Sequence, residues 1–180
     1  MRVLFLFTLL LTVSLVADSK QRLFNLYQQG NYLQACNLGH QGFLYHQSDE
    51  AYISLYAFSC LKADVIERLA GPIALLNQTK ESRINSAYFS LILMQKSLLM
   101  EALYDNKSFQ NLKFPTSTHT LSKVFDLYLK NPQPTQMVKE YKDALDSRVS
   151  YKLYTTEING RKSIAIDEYY DKILSHHHVY

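Results

Sequence analysis

Hydrophobic positions follow three successive patterns along this chain. Val3 to Val16 is an uncharged run dominated by Leu, Val and Phe, after Met1-Arg2 and before the small residues Ala17 and Ser19. From Leu23 to Leu145 apolar residues recur at three- and four-residue steps, the period of helices that bury one face. From Ser150 the step shortens to two, and β-branched and aromatic residues take over, as half-buried strands require.

The helical stretch divides at its turn formers. Asp18 to Gln29 is predicted as a first helix with Leu23, Leu26 and Tyr27 inward. Gly30 stops it, because glycine takes the left-handed turn after a helix without a Cβ penalty. Asn31 is placed to cap a second helix running to about His46. Ser48 and Asp49 open a third, with Tyr52, Leu55, Tyr56 and Leu61 in phase. Asp64 is expected to open a fourth, which Gly71-Pro72 breaks or kinks because proline lacks the amide hydrogen. Ile84 to Leu103 carries an apolar stripe interrupted only by Gln95, the signature of a central helix packed on several sides. Asp105 to Thr118 is polar, contains Pro115, and is expected to be a loop. Leu121 to Leu129 forms another amphipathic helix, ending before Pro132 and Pro134. Thr135 is expected to cap a last helix with Met137, Val138, Tyr141, Ala144 and Leu145 inward.

Beyond Ser150, Asn159-Gly160 is the strongest short hairpin signal in the chain, and Asp171-Lys172 marks a second turn. A two- or three-stranded meander is predicted over 150–180. The fold class is therefore mainly α, antiparallel helical pairs or a bundle, with a small C-terminal β-hairpin or meander. Residues 20–180 have the length of a single domain, helical over 20–148 and β over 150–180. The few turn formers, 5 Gly and 4 Pro, agree with helices on short loops.

The N-terminal run adds an address. A positive start, an apolar core and small residues before a cut make residues 1–19 a secretory signal peptide. The run is shorter than the roughly 20 residues a spanning helix needs. The mature protein is expected in the periplasm or outside the cell, with no stable membrane span after cleavage. Charged residues are only 19% of the chain and net charge is +3 with no basic run, so neither a disordered chain nor a nucleic-acid protein is indicated.

Gly30-Asn31-Tyr32-Leu33-Gln34-Ala35 resembles the turn of a tetratricopeptide repeat. That family places a small residue, a polar cap, an aromatic and, three further on, an alanine that lets two helices approach. Ala63-Asp64-Val65 echoes it 33 residues after Gly30-Asn31-Tyr32, close to the family period of about 34, with Arg68 in place of the alanine. Gly39 and Gly42 stand where the family usually has larger packing residues. The resemblance implies a scaffold that binds a protein or peptide in a concave groove, without catalysis. Asn25 on the first helix and Ser54 and Tyr56 on the third are the partner-binding candidates it implies.

Two further groups have chemical potential. Cys36 and Cys60 are the only cysteines. They lie at nearly equal distance on either side of the turn near Gln47-Ser48, so they face each other on an antiparallel hairpin, as a disulfide requires. His176 and His178 would share one face of a strand and could hold zinc if a third ligand approached. His40, His46, His119, Asp167, Glu168 and Asp171 are the available partners, and no spacing selects among them. A solvated strand end is the alternative. No phosphate loop, nucleophile elbow or His-Glu-x-x-His motif occurs.

The expectation is an exported, non-catalytic helical-repeat protein that binds a protein or peptide, with no cofactor. Two alternatives stand beside it: an exported metal-dependent enzyme using the C-terminal histidines, and a structural subunit of an envelope complex whose β-tail pairs with a larger assembly.

Overall fold

The computed structural model describes residues 19–109 and 111–180. Residues 1–18, all but the last residue of the expected signal peptide 1–19, lie outside the described residues. Helix α1 covers 19–28, α2 Tyr32–Gly42, α3 Glu50–Lys62, α4 Ala70–Leu75, α5 Lys80–Tyr104 and α6 Thr120–Lys130. Strands β1 Lys139–Lys142, β2 Val149–Ile158, β3 Arg161–Tyr170 and β4 Ile173–Val179 follow. The chain forms two compact units, the first running to Phe89 and the second from Ser90 to Tyr180. That boundary falls inside α5 rather than near residue 148, where the apolar period changes.

In the first unit, Gly30 reverses the chain at φ 75°. Its N–H reaches Tyr27 O at 3.0 Å and that of Asn31 reaches Leu26 O at 3.0 Å, the paired bonds that satisfy the last carbonyls of a helix. Asn31 stands where a cap was expected, but its side chain makes no capping bond to α2; it donates instead to Gln29 Oε1. Asp49 does cap α3, its carboxylate accepting from Tyr52 N at 3.0 Å, and Lys20 Nζ pairs with the same carboxylate at 2.7 Å.

The glycines of α2 have a packing reason. A Cβ on Gly39 would lie 2.5 Å from Tyr56 Cδ2, and one on Gly42 would collide with the Tyr52 hydroxyl. Two fully buried tyrosines of α3 thus occupy the volume that larger side chains at Gly39 and Gly42 would take.

Three local expectations are corrected. Asp64 does not open a helix; it adopts φ 61° just after α3, and a short 3-10 turn over Ile66–Leu69 follows. Gly71 and Pro72 do not break a helix; they lie in the first turn of α4, where the missing proline N–H has no partner to lose. The long helix begins earlier than its apolar stripe. Thr79 and Ser82 bond each other's backbone N–H through their hydroxyls, at 3.1 and 3.0 Å, a reciprocal start signal. Its buried side is also rotated: Phe89, Ile92, Gln95 and Leu99 are inside, while Ile84 is exposed.

In the second unit the strands form one antiparallel meander, β1-β2-β3-β4. Asn159 and Gly160 both take positive φ, 52° and 76°, as do Asp171 and Lys172 at 48° and 69°, the geometry of tight hairpins. One face, carrying Tyr141, Tyr151, Leu153, Ile164 and Ile166, is buried. Helix α6 supplies Leu121, Val124, Phe125 and Tyr128 to the core. It is tied to the sheet by Lys123–Asp143 at 3.0 Å and Thr120–Glu168 at 3.0 Å.

The largest correction lies between α6 and β2. No helix follows Thr135; Gln133 takes φ 48° and the chain enters β1. Met137 and Leu145, expected inward, are 91% and 94% exposed. The helical span expected to 148 therefore ends at Lys130. Only the alternate positions Lys139 and Tyr141 turn inside, because pairing with β2 imposes a period of two.

Candidate functional site

Of the three partner-binding candidates, Asn25 is exposed on α1 and accepts from Gln21 at 2.9 Å. Ser54 is half-buried, and its hydroxyl accepts from Asn85 Nδ2 at 3.2 Å. Tyr56 is interior, its ring against Phe43 and its hydroxyl 3.3 Å from His40 Nδ1. Of the repeat-turn residues, Tyr32 packs edge-on to Tyr27 at 5.3 Å, and Ala35 is fully buried. Cys36 and Cys60 stand at disulfide distance, with Sγ–Sγ 2.08 Å and Cα–Cα 4.6 Å.

The C-terminal histidines lie on β4, an edge strand. His176 and His178 share a face, their rings stacked 5.8 Å apart. Glu168 pairs with His176 in register, but its carboxylate already accepts from Thr120. His177 points to the other face, with Nδ1 2.5 Å from Asp167 Oδ1. Asp171 forms the β3–β4 turn. His40 and His46 belong to the first unit, where His46 stacks on Tyr52 at 3.8 Å. The His119 ring caps α6, accepting from Leu121 N at 3.3 Å. Among the described residues, no three His, Cys, Asp or Glu side chains assemble into a metal-ligand group.

A feature that sequence reasoning missed lies entirely within the second unit. A cavity of about 490 Å³ opens between the end of α5, the end of α6 and the segment leading into β1. That segment is strapped to the sheet. Gln133 uses its amide as a surrogate strand residue, donating to Glu140 O at 2.8 Å and accepting from Glu140 N at 3.1 Å. The Tyr141 hydroxyl donates to Asn131 O at 3.0 Å. These bonds fix Pro132 and Pro134 as one wall. Leu103, Phe109, Leu129 and Met137 supply apolar surface.

The polar side of the cavity has one sign. Lys139 and Lys107 line it, and no Asp or Glu does. Lys107 is already paired, 3.4 Å from Glu101. Lys139 is only 8% exposed, and its ammonium donates to the Gln136 carbonyl at 2.6 Å. Burial holds that ammonium below the ordinary lysine range, since removal from water disfavours the charged form. Tyr128, also 8% exposed, lines the same cavity. Among the described residues its hydroxyl has no hydrogen-bond partner, yet it is not sealed from water. Burial pushes that hydroxyl up from the ordinary tyrosine range, so it remains a donor. The signal for Lys139 was present as a period-two pair with Tyr141. A helical reading of 135–145 sent it to solvent, where lysines normally go.

Comparison with family models, with curated proteins and with solved structures finds no match to this chain.

Proposed function

We propose that this is an exported, non-catalytic binding protein whose first unit presents a tetratricopeptide-like helical array to a protein or peptide. The observation that carries this reading is the neighbouring of α3 and α5. Asn85 bonds Ser54 at 3.2 Å, and Phe89 packs edge-on to Phe58 at 4.8 Å. Stacked helical repeats build extended concave surfaces, and a contact between α3 and α5, every second helix of the chain, is what such stacking requires. The left-handed Gly30 turn between α1 and α2 and the buried Ala35 of α2 support the same arrangement. The cysteine pair and the absence of a described helix long and apolar enough to cross a membrane are compatible with a periplasmic or secreted address.

The test is site-specific photocrosslinking in the native host. A crosslinking residue at Asn25 on α1 is expected to yield one discrete adduct, and the same residue at exposed Gln34 on α2 none. The reverse pattern overturns the groove. A second reading, a structural subunit that pairs through the sheet edge, is favoured by β4, whose Ile173 and Leu174 are exposed. Adducts from Ile173 and none from Asn25 would select it.

A further inference from the structure

The cavity of the second unit carries a separate inference, one that needs neither a helical array nor a protein partner. We infer that it is a binding site for a small organic carboxylate with an apolar body, its carboxylate held by Lys139 and Tyr128.

The argument starts from cost. A buried ammonium with a single carbonyl partner is poorly compensated, because a lysine has three donor hydrogens and desolvation of the charge is expensive unless it is paired. Here one hydrogen goes to the Gln136 carbonyl, leaving two donors. The Tyr128 hydroxyl adds a third, and it too has no partner among the described residues. The other lining cation, Lys107, is paired with Glu101, and the lining itself holds no carboxylate to take the Lys139 charge.

The ligand class follows from charge matching. One uncommitted cation suits one negative charge, since Lys107 is shared with Glu101. A doubly charged phosphate ester would leave a charge uncompensated in a partly desolvated site. A carboxylate has two oxygens, enough to accept from both the ammonium and the phenol. The rest of the lining is mixed, and its apolar share, from Leu103, Phe109, Leu129 and the exposed Met137, suits an apolar body. A concave site that combines apolar surface with convergent polar groups fits a small ligand with an apolar body and one charged head. The carboxylate could be that of a free acid or the C-terminus of a short peptide, and the chemistry read by Lys139 is the same.

The experiment is calorimetric titration of the full folded chain with decanoate and with N-acetyl-Leu-Phe, each beside its neutral primary amide. At least one acid is expected to bind, at least tenfold tighter than its own amide, and the tighter acid identifies the source. The Lys139→Met variant is expected to lose at least tenfold affinity for that acid and none for the amide. Lys139→Arg should recover part of the loss, and Tyr128→Phe should cost a few-fold. Equal binding of acid and amide, or no binding of either acid at millimolar concentration, would overturn the assignment. The wild-type acid–amide comparison decides the matter even if Lys139→Met fails to fold. Crosslinking at Asn25 is read independently, so failure of this site leaves the groove reading standing, and the reverse.

Discussion

The two units solve the same problem, burial of tyrosines and polar groups, by different means. The first is held by close approach: glycines of α2 admit the Tyr52 and Tyr56 rings, and a cysteine pair links α2 to α3. The second is held by polar ties from the strands to their surroundings. Asp143 accepts from Tyr151 at 2.7 Å and Lys123 at 3.0 Å, and Gln133 closes on β1. Packing of the first kind fails when volume is added or a crosslink is lost; ties of the second kind fail when a charge is removed. The contrast can be broken experimentally at four places.

The largest effect is expected from opening the crosslink. A double Cys36→Ser, Cys60→Ser change should destabilise the hairpin by about 3 kcal/mol, the loop-entropy value for a closed loop of this length. Amide exchange in α2 and α3 should quicken, with β2 and β3 as the internal reference. Unchanged exchange in α2 and α3, or two free thiols in the unreduced wild-type protein, would remove the crosslink from the account.

Next is Gly39→Ala. Overpacking against the Tyr56 ring is expected to cost about 1–3 kcal/mol, measured by urea denaturation. A neutral outcome would mean that the α2–α3 contact is looser than the Gly39–Tyr56 distance implies.

Asp143→Asn tests the second unit and should cost about 1.5–3 kcal/mol, the range for hydrogen bonds to a charged group. The carboxylate is almost buried, and burial opposes its ionisation. Bonds from the Tyr151 hydroxyl, the Leu145 amide and Lys123 outweigh that and hold its carboxyl well below the usual range. A depressed native value means that this stability is present above the unfolded carboxylate range near pH 4. It is lost as pH falls through the lower native value. The melting-temperature gap between wild type and variant should therefore be full at pH 7 and shrink below pH 4.

The smallest effect is expected at Leu145→Lys. At 94% exposure it should change stability by no more than about 0.5 kcal/mol. A cost of several kcal/mol would restore the inward helix over 135–145.

These four places also mark how far the sequence could be read. Much of the first unit was legible because its signals are local, although Asp64 and Gly71-Pro72 read as a helix start and a helix break and are neither. Gly30, Asp49 and the three- and four-residue steps each act within one turn of their own position, and Cys36 and Cys60 are placed by helix length alone. The hairpins at Asn159-Gly160 and Asp171-Lys172 were legible for the same reason. Residues 135–145 were not, because Met137, Val138, Tyr141, Ala144 and Leu145 match a helical period by coincidence. Their conformation is set by β2, a partner that comes later in the chain. The cavity was illegible too, since it depends on a side-chain amide standing in for a strand residue and on a buried lysine. Asn25 is exposed on α1, whereas Tyr56 lies in the interior against Gly39, a glycine whose meaning appears only beside it.

The tyrosines make the protein a witness to its own unfolding. There are 14 of them and no tryptophan, so near-ultraviolet absorbance and emission report on tyrosine alone. In both units, burial pushes phenols upward from their ordinary range: Tyr52 and Tyr56 in the first, Tyr128, Tyr141 and Tyr151 in the second. A raised native value means that the folded state keeps protons the unfolded chain would release, so this contribution to stability fades as pH climbs above about 10. An alkaline titration followed by phenolate absorbance reads these groups directly. The interior rings are withheld, and they ionise together when the fold that protects them gives way.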